Sequence, residues 1–247
     1  MSKNFELLIR MVKELGVSQP LGAPPSPALG KRPEPEVDAR TREELMKLVQ
    51  RVFLSPRLAE VPRAVLFSAV DQGDGSSRIC ARVGEALAGQ TPGSVCIVDA
   101  NLRSPTLHEQ FALENGIGLK EAVMQFGPVR RFAQRYCGTN LWLVTCGSQT
   151  PDPHTILASD RLGSRIRELC AEFDHVLIDS PPLSLYADAF VLGQLTDGII
   201  LVVEANSTRR EVAQKAKENL EAASLRILGS VLNNRTFPIP ETIYWKL

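Results

Sequence analysis

The chain has 247 residues, enough for one large α/β domain with a sizeable core and short appendages. Its 28 basic and 28 acidic residues balance, which argues against nucleic acid or an anionic membrane as the main partner. The five cysteines are scattered without a CxxC pair and only three histidines are present, so neither a disulfide framework nor a zinc site is expected.

Two segments precede the expected domain. Apolar residues within 1–16 fall on one helical stripe, which predicts an amphipathic helix docked on its own domain or on a partner. Charges throughout that segment argue against a signal peptide, and no stretch of about 18 apolar residues predicts a transmembrane helix. Residues 17–40 are rich in proline and predict an extended linker. We expect the folded domain at 41–235 and a short tail at 236–247.

From residue 41 onward, strand patterns alternate with helix patterns. Apolar runs predict six strands, at 64–70, 94–100, 141–147, 175–180, 198–205 and 227–233. Helices are predicted at 41–54, 78–89, 155–172, 184–194 and 207–224. Continuous apolar strands are typical of a sheet that is covered on both faces. The pattern therefore predicts an α/β fold, a doubly wound and mainly parallel sheet of about six to eight strands flanked by helices.

A turn with two glycines follows the first predicted strand and opens a helix. The sequence reads AVLFSAVDQGDGSSRI, in which Gly73, Asp74 and Gly75 form the turn. Backbone amides at such a turn bind phosphate oxygens, aided by the helix dipole. A P-loop places Lys and then Ser or Thr after its last glycine, whereas Ser76 and Ser77 follow here. The turn therefore predicts a phosphate-binding loop without its lysine.

Two further predicted strands end in aspartate. SVCIVDANLRSPTLHEQF ends its strand at Asp99, with Asn101 and Arg103 just beyond, and FDHVLIDSPPL ends its strand at Asp179. Either aspartate alone is equally typical of a helix cap. Ligands of parallel sheets bind at the carboxyl ends of strands, and an aspartate beside a phosphate loop holds Mg²⁺ directly or through water. Together with the Ser77 hydroxyl, these residues indicate a nucleotide site with Mg²⁺.

These motifs, in this order and spacing, resemble the cytoplasmic domain of the bacterial tyrosine kinases of exopolysaccharide synthesis. That family is related to the MinD and ParA-type P-loop ATPases. Its phosphate loop resembles PGEGKST, its A′ strand IDADLRRPTLH and its B strand IIDTPP. The chain reads QGDGSSR at 72–78, IVDANLRSPTLH at 97–108 and LIDSPP at 177–182. The resemblance extends over 41–235, about four-fifths of the chain.

The resemblance implies an ATP·Mg²⁺ site that phosphorylates tyrosines. In such a site Ser77, Asp99 and Asp179 serve Mg²⁺, and Asp99 also positions or deprotonates the attacking hydroxyl. Arg103 is the second catalytic candidate. Asn233 contacts adenine, although a turn residue after a strand is an equally good interpretation of it. Asp188 is a weaker candidate for a contact on the nucleotide side. The remaining nucleotide contacts are expected from the turn itself, at Gly73, Asp74, Gly75 and Ser76.

The chain departs from the family pattern inside the expected site. Ser76 occupies the position of the lysine that bridges the β- and γ-phosphates, and no lysine lies between Lys47 and Lys120. Arg78 and Arg103 are the nearest substitutes, but a guanidinium is not equivalent to a point charge on a flexible stem. A second departure removes a carboxylate from the metal neighbourhood, because Asn101 replaces the second aspartate of the A′ motif.

Two further departures concern assembly and substrate. The family's oligomerisation helix carries Glu-x-x-Arg-x-x-Arg, whereas this chain has Glu44, Lys47 and Gln50. Ring assembly is therefore not expected, beyond weak self-association. The family phosphorylates a cluster of C-terminal tyrosines, and this tail offers Tyr244 as its single candidate phosphoacceptor.

The four departures favour a degenerate, regulatory or scaffolding member with impaired use of ATP. The resemblance implies a membrane-anchored polysaccharide chain-length or co-polymerase protein as its partner, or an active kinase paralogue. We expect a cytoplasmic protein that such a partner recruits to the inner face of the membrane. An active tyrosine autokinase or slow ATPase stays open, as does a MinD-like ATPase that touches the membrane through its N-terminal helix. A nicotinamide-dependent oxidoreductase is remote, since no GxGxxG follows the first strand.

Overall fold

A computed structural model describes residues 39–55, 61–148 and 152–235. The elements in chain order are α1 (Ala39–Val52), β1 (Ala64–Ala69), α2 (Ser76–Ala88), β2 (Val95–Asp99), α3 (Leu107–Gln110), α4 (Leu119–Met124), a 3₁₀ turn (Val129–Phe132), β3 (Gln134–Arg135), β4 (Leu141–Val144), α5 (Pro153–Leu157), α6 (Asp160–Glu172), β5 (His175–Ser180), α7 (Asp188–Gly193), β6 (Gly198–Glu204), α8 (Arg210–Ala222) and β7 (Ile227–Asn233).

The seven strands form one sheet in the order β3-β4-β2-β5-β1-β6-β7. Every neighbouring pair is parallel except β3 with β4. The predicted α/β fold with a mainly parallel sheet is therefore confirmed. Because β2, β5 and β1 are neighbours at the centre of the sheet, the segments that follow them emerge side by side at one edge.

Helices cover both faces of the sheet, so its central strands are apolar on both sides. All six residues of β1 are buried. Leu66 belongs to the apolar cluster shared with α6, α7 and α8. Val65 and Phe67 point to the other face and join the cluster shared with α1, α2 and α3. This alternation follows from the period of two along a strand and explains why the strands read as continuous apolar runs.

The structure differs from the sequence-based elements at several boundaries. The helix expected at 155–172 is broken into α5 and α6, because the Ser159 hydroxyl accepts a hydrogen bond from Arg161 N and caps a new helix start. The helix expected at 184–194 begins only at Asp188. Between α3 and β3 the chain forms α4 and the 3₁₀ turn, which no periodic sequence pattern predicted. Among the described residues, no helix is long and apolar enough to span a membrane.

The predicted segments 1–16 and 236–247, and nearly all of 17–40, lie outside the described residues. Of the expected linker, only its last two residues are described, and they already belong to α1, which begins at Ala39. Helix α1 packs against α2 and the sheet through Leu45, Val49 and Val52.

A close backbone approach fixes α4 against the end of β4. Gly118 precedes α4, and a Cβ atom there would lie 2.1 Å from the Thr145 carbonyl oxygen and 2.6 Å from Gly147 N. The next amide, Leu119 N, donates to the same Thr145 oxygen at 2.8 Å. Only glycine allows this approach, because the atoms it would meet belong to the backbone and cannot rotate away.

We therefore expect Gly118→Ala to lower the free energy of unfolding by about 2 kcal/mol or more, as overpacked cores do. Gly116→Ala is the matched control, since a Cβ atom at Gly116 would meet nothing within 4 Å. Urea unfolding followed by circular dichroism measures both variants. Equal stability of the two would show that the backbone approach at Gly118 does not constrain the fold.

Candidate nucleotide and magnesium site

Two aspartates lie side by side at the carboxyl edge of the central strands. Asp99 is the last residue of β2, and Asp179 is its register partner in the parallel strand β5. Both carboxylates are fully buried. The two acidic strand ends that the sequence singled out are therefore adjacent in space, as the expected topology required.

Burial controls the protonation of this pair. It raises the pKa of Asp99 to about 7, against the opposing effect of backbone amides that donate to the carboxylate, among them Leu107 N and Asn101 N at 3.2 Å each. Burial, and next the neighbouring Asp99 charge, raise the pKa of Asp179 well above its ordinary value. Without a cation, the pair therefore holds a proton near neutral pH.

The donor set at this pair fits Mg²⁺. The Ser77 hydroxyl donates to Asp179 Oδ2 at 2.5 Å, while Asp179 Oδ1 is buried and has no hydrogen-bond partner among the described residues. Two carboxylates and a hydroxyl are hard oxygen donors, and Mg²⁺ usually takes its other ligands from water and substrate phosphates. The described part of the chain holds no group of three or more His, Cys, Asp or Glu residues that could hold a metal ion.

The glycine turn has the backbone geometry of an anion-binding loop. Gly73 and Gly75 have φ angles of 95° and 84°, in the left-handed region that favours glycine. Gly75 is the N-cap of α2, and no side chain caps that end. The first amides of a helix have no intrahelical acceptor, so the start of α2 offers N–H groups and the positive end of the helix dipole to an anion.

Side chains from the loop between β6 and α8, and from the end of β7, hold this turn in place. Asp74 is buried, and its carboxylate accepts hydrogen bonds from the Thr208 hydroxyl and from Asp71 N, each at 2.9 Å. Asn233 Nδ2 donates to the Asp74 carbonyl oxygen at 2.9 Å. A Cβ atom at Gly75 would lie 2.6 Å from that same Asn233 nitrogen. Asp74 and Asn233 thus shape the turn, and Thr208 is a supporting residue that no sequence motif identified.

The lysine position carries no charge. Ser76 is buried at the start of α2, and its hydroxyl, like that of Ser77, lowers the pKa of Asp179 against the effect of burial. Arg78 is exposed. Asn101 Oδ1 accepts a hydrogen bond from Ser104 N at 3.1 Å and so closes the turn after β2.

Arg103 is committed to a carboxylate. Its Nε and Nη2 atoms donate to the two oxygens of Asp188 at 2.8 and 3.0 Å, and Asp188 is only 2% exposed. The guanidinium also lies over the Tyr186 ring, 4.1 Å from its centroid. This bidentate pair joins the loop after β2 to the start of α7. Asp188, which the sequence suggested only weakly, is therefore the partner of another candidate residue.

The remaining predictions concern residues at the margins of the fold. Lys47 on α1 forms ion pairs with Glu43 and Glu44 within its own helix. The candidate phosphoacceptor Tyr244 lies outside the described residues, so its role stays a prediction.

The parallel sheet, the glycine turn at a helix N-terminus and the paired strand-end aspartates together define a P-loop NTPase-like domain. No protein-family model matches the chain. It is 33% identical over 173 residues to the tyrosine-protein kinase YwqD of Bacillus subtilis (strain 168). The matched region covers 70% of this chain and 73% of YwqD. This chain therefore belongs to the family of bacterial tyrosine kinases.

Solved structures agree with this fold. The crystal structure of the chimerical protein CapA2B2 matches with a TM-score of 0.74 and 24% identity, covering 83% of this chain and 88% of that one. The cell division ATPase MinD of Pyrococcus furiosus matches with a TM-score of 0.60 and 23% identity, covering 74% and 78% of the two chains. The predicted resemblance to the bacterial tyrosine kinases and to the MinD and ParA-type ATPases is confirmed at the level of the fold.

The buried pair predicts a pH dependence of stability in metal-free buffer. Because burial raises the pKa of Asp99 from 3.8 to about 7, the folded protein keeps a proton that the unfolded chain releases. The free energy of unfolding should therefore fall as the pH rises from 5 to 7, by on the order of 2 kcal/mol for Asp99 alone. Urea unfolding at each pH in the presence of EDTA measures this free energy.

Asp99→Asn removes the group whose pKa burial raises to about 7 and should make this slope shallower, with Glu114→Gln as an exposed control. If the slopes of wild type and Asp99→Asn coincide, Asp99 does not carry the pH dependence.

Proposed function

We propose that this chain is a bacterial tyrosine kinase-like protein of exopolysaccharide synthesis whose role is regulatory or scaffolding and whose use of ATP is impaired. The observation that carries the proposal is Ser76, an uncharged residue at the lysine position of an otherwise well-formed phosphate turn. The motif resemblance and the kinase relative support the family context. The missing charge supports the loss of catalysis.

The charge balance of the site explains why that lysine matters. ATP brings a triphosphate next to Asp99 and Asp179, and positive charge must offset both. A charge-assisted hydrogen bond contributes roughly 1.5–3 kcal/mol net, or about 10- to 150-fold in binding. The effect on phosphoryl transfer should be larger, because electrostatic stabilisation supplies most of that catalysis. Arg103 does not compensate in this geometry, since Asp188 already engages it on two atoms.

The other residues have definable roles toward a bound nucleotide. Mg²⁺, when bound, would neutralise phosphate charge and orient the phosphates. Ser77 and Asp179 would hold it, with the free oxygen of Asp179 available as a ligand. The amides at the start of α2 would bind phosphate oxygens. Asp99, with a pKa of about 7 in the metal-free protein, lies in the range that suits a general base, and would position the attacking hydroxyl.

A role in assembly needs a partner. We infer a membrane-anchored polysaccharide chain-length or co-polymerase protein, or an active kinase paralogue, which recruits this cytoplasmic chain to the inner face of the membrane. The proline-rich stretch at 17–40 would supply reach between the N-terminal segment and the domain. The family membership supports this inference.

Two alternatives keep the chain active. The retained Ser77, Asp99 and Asp179 favour a slow ATPase or an autokinase acting on Tyr244. The charged, amphipathic stretch at 1–16 favours a MinD-like ATPase that contacts the membrane, and liposome co-sedimentation that is unchanged by deleting 1–16 would count against it.

Nucleotide titration tests the missing charge directly. Isothermal calorimetry with Mg·ATP and Mg·ADP should show weak or no binding to wild type, and an affinity about 10- to 150-fold higher for Ser76→Lys. Ser76→Met is the matched control, since it adds a long side chain without charge. If wild type already binds ATP in the low micromolar range, or Ser76→Met gains as much as Ser76→Lys, the proposal is wrong.

Phosphorylation separates the regulatory from the catalytic alternative. Wild type incubated with Mg·ATP should produce no phosphotyrosine at Tyr244 by mass spectrometry, because the transferring phosphoryl group lacks its cation. Robust, Mg²⁺-dependent labelling that Asp99→Asn abolishes would establish an active autokinase instead. Tyr244→Phe controls for labelling at other tyrosines.

A further inference from the structure

The segment from Ile117 to Phe126 exposes an unusual amount of apolar surface. Six large apolar side chains are exposed among the described residues, and three of them lie here: Ile117 at 55%, Met124 at 58% and Phe126 at 87%. Single exposed apolar residues are ordinary, whereas neighbouring ones mark interaction sites. We define the α4 surface as Met124 and Phe126 with Arg161 and the exposed Arg131, whose side chain lies beside Gly127.

Arg161 holds this surface from α6. Its Nη1 atom donates to the Met124 carbonyl oxygen at 3.1 Å, and its Nη2 atom donates to the Gln125 carbonyl oxygen. The guanidinium also lies over the Phe126 ring, 4.6 Å from its centroid. One arginine thus fixes the backbone of the segment and stacks on its most exposed aromatic ring.

A second, buried arginine fixes the same turn from beneath. Arg165 donates to the carbonyl oxygens of Ala122, Gln125 and Gly127 at 2.6, 2.7 and 2.8 Å. These bonds satisfy carbonyl groups at the end of α4, which a helix leaves without partners. The exposed side chains therefore stand on a fixed backbone, and a preorganised surface loses little conformational freedom on binding.

The charges of the α4 surface are uncompensated. Neither Arg131 nor Arg161 has a carboxylate partner among the described residues, whereas the nearby Arg130 pairs with Glu172. A second copy meeting this surface across a twofold axis would place like charges together. An anionic membrane is attracted by clusters of about four to eight basic residues, whereas within the described part of the chain two uncompensated arginines flank this surface.

We propose that the α4 surface docks an acidic amphipathic segment of another protein. Apolar side chains of that segment cover Met124 and Phe126, and its carboxylates meet Arg131 and Arg161. Gly118 fixes the start of α4 at the carboxyl end of β4, and Arg161 and Arg165 fix its end. Docking requires no nucleotide, so it is independent of how the chain uses ATP.

Synthetic peptides test this docking on the full chain. One probe is an amphipathic peptide of about 16 residues, long enough to form a helix, with Leu on one face and Glu on the other; the second carries Lys in place of Glu. Fluorescence anisotropy should show binding of the Glu peptide and not of the Lys peptide. Phe126→Ala should weaken the affinity for the Glu peptide about 10-fold or more, and Arg131→Glu should weaken it about 5-fold or more.

Leu232→Ala is the matched control, because Leu232 is 54% exposed on β7 at the opposite edge of the sheet, and it should leave the affinity unchanged. Thermal unfolding of each variant verifies that the exposed substitutions leave the fold intact. Equal binding of both peptides, equal effects of Phe126→Ala and Leu232→Ala, or no binding at all would overturn the proposal. Co-sedimentation with phosphatidylglycerol vesicles that Phe126→Ala abolishes, without peptide binding, would assign the surface to a membrane.

Discussion

The parallel pairing of β2 with β5 is the constraint on which the site depends. Its register places Asp99 beside Asp179 with both carboxylates fully buried. Buried charges of the same sign oppose folding unless a proton or a cation neutralises them. The surrounding sheet, apolar on both faces, supplies the burial energy that tolerates this arrangement. The aspartate pair therefore lowers the stability of the metal-free protein at pH values where both carboxylates would be charged.

The glycine turn keeps its shape without a lysine at residue 76. Its shape depends on two glycines with positive φ and on the contacts of Asp74 with Thr208 and Asn233. None of these contacts involves a charge at residue 76. The geometry of the turn therefore does not require a lysine at this position. This independence is consistent with a fold that matches those of the similar solved structures.

Sequence patterns predicted the layered fold because burial on both faces leaves long apolar runs. They failed where elements are short or polar: β3 consists of Gln134 and Arg135 alone, and α3 has only four residues. The adjacency of Asp99 and Asp179 was predictable, since parallel strands share one carboxyl edge. The contact of Asp74 with Thr208 was not predictable, because the two residues are 134 positions apart and no sequence motif links them.

Helix α1 packs against α2, the helix that follows the glycine turn. Helix α1 rests on α2 through residues such as Leu45 and Val49, and Gln90, just beyond α2, donates to the Met46 sulfur at 3.0 Å. The turn sits at the first residue of that same α2. Helix α1 is thus seated on the helix that opens at the glycine turn. A shift in the packing of α1 would therefore bear on the helix whose N-terminus carries the candidate phosphate site.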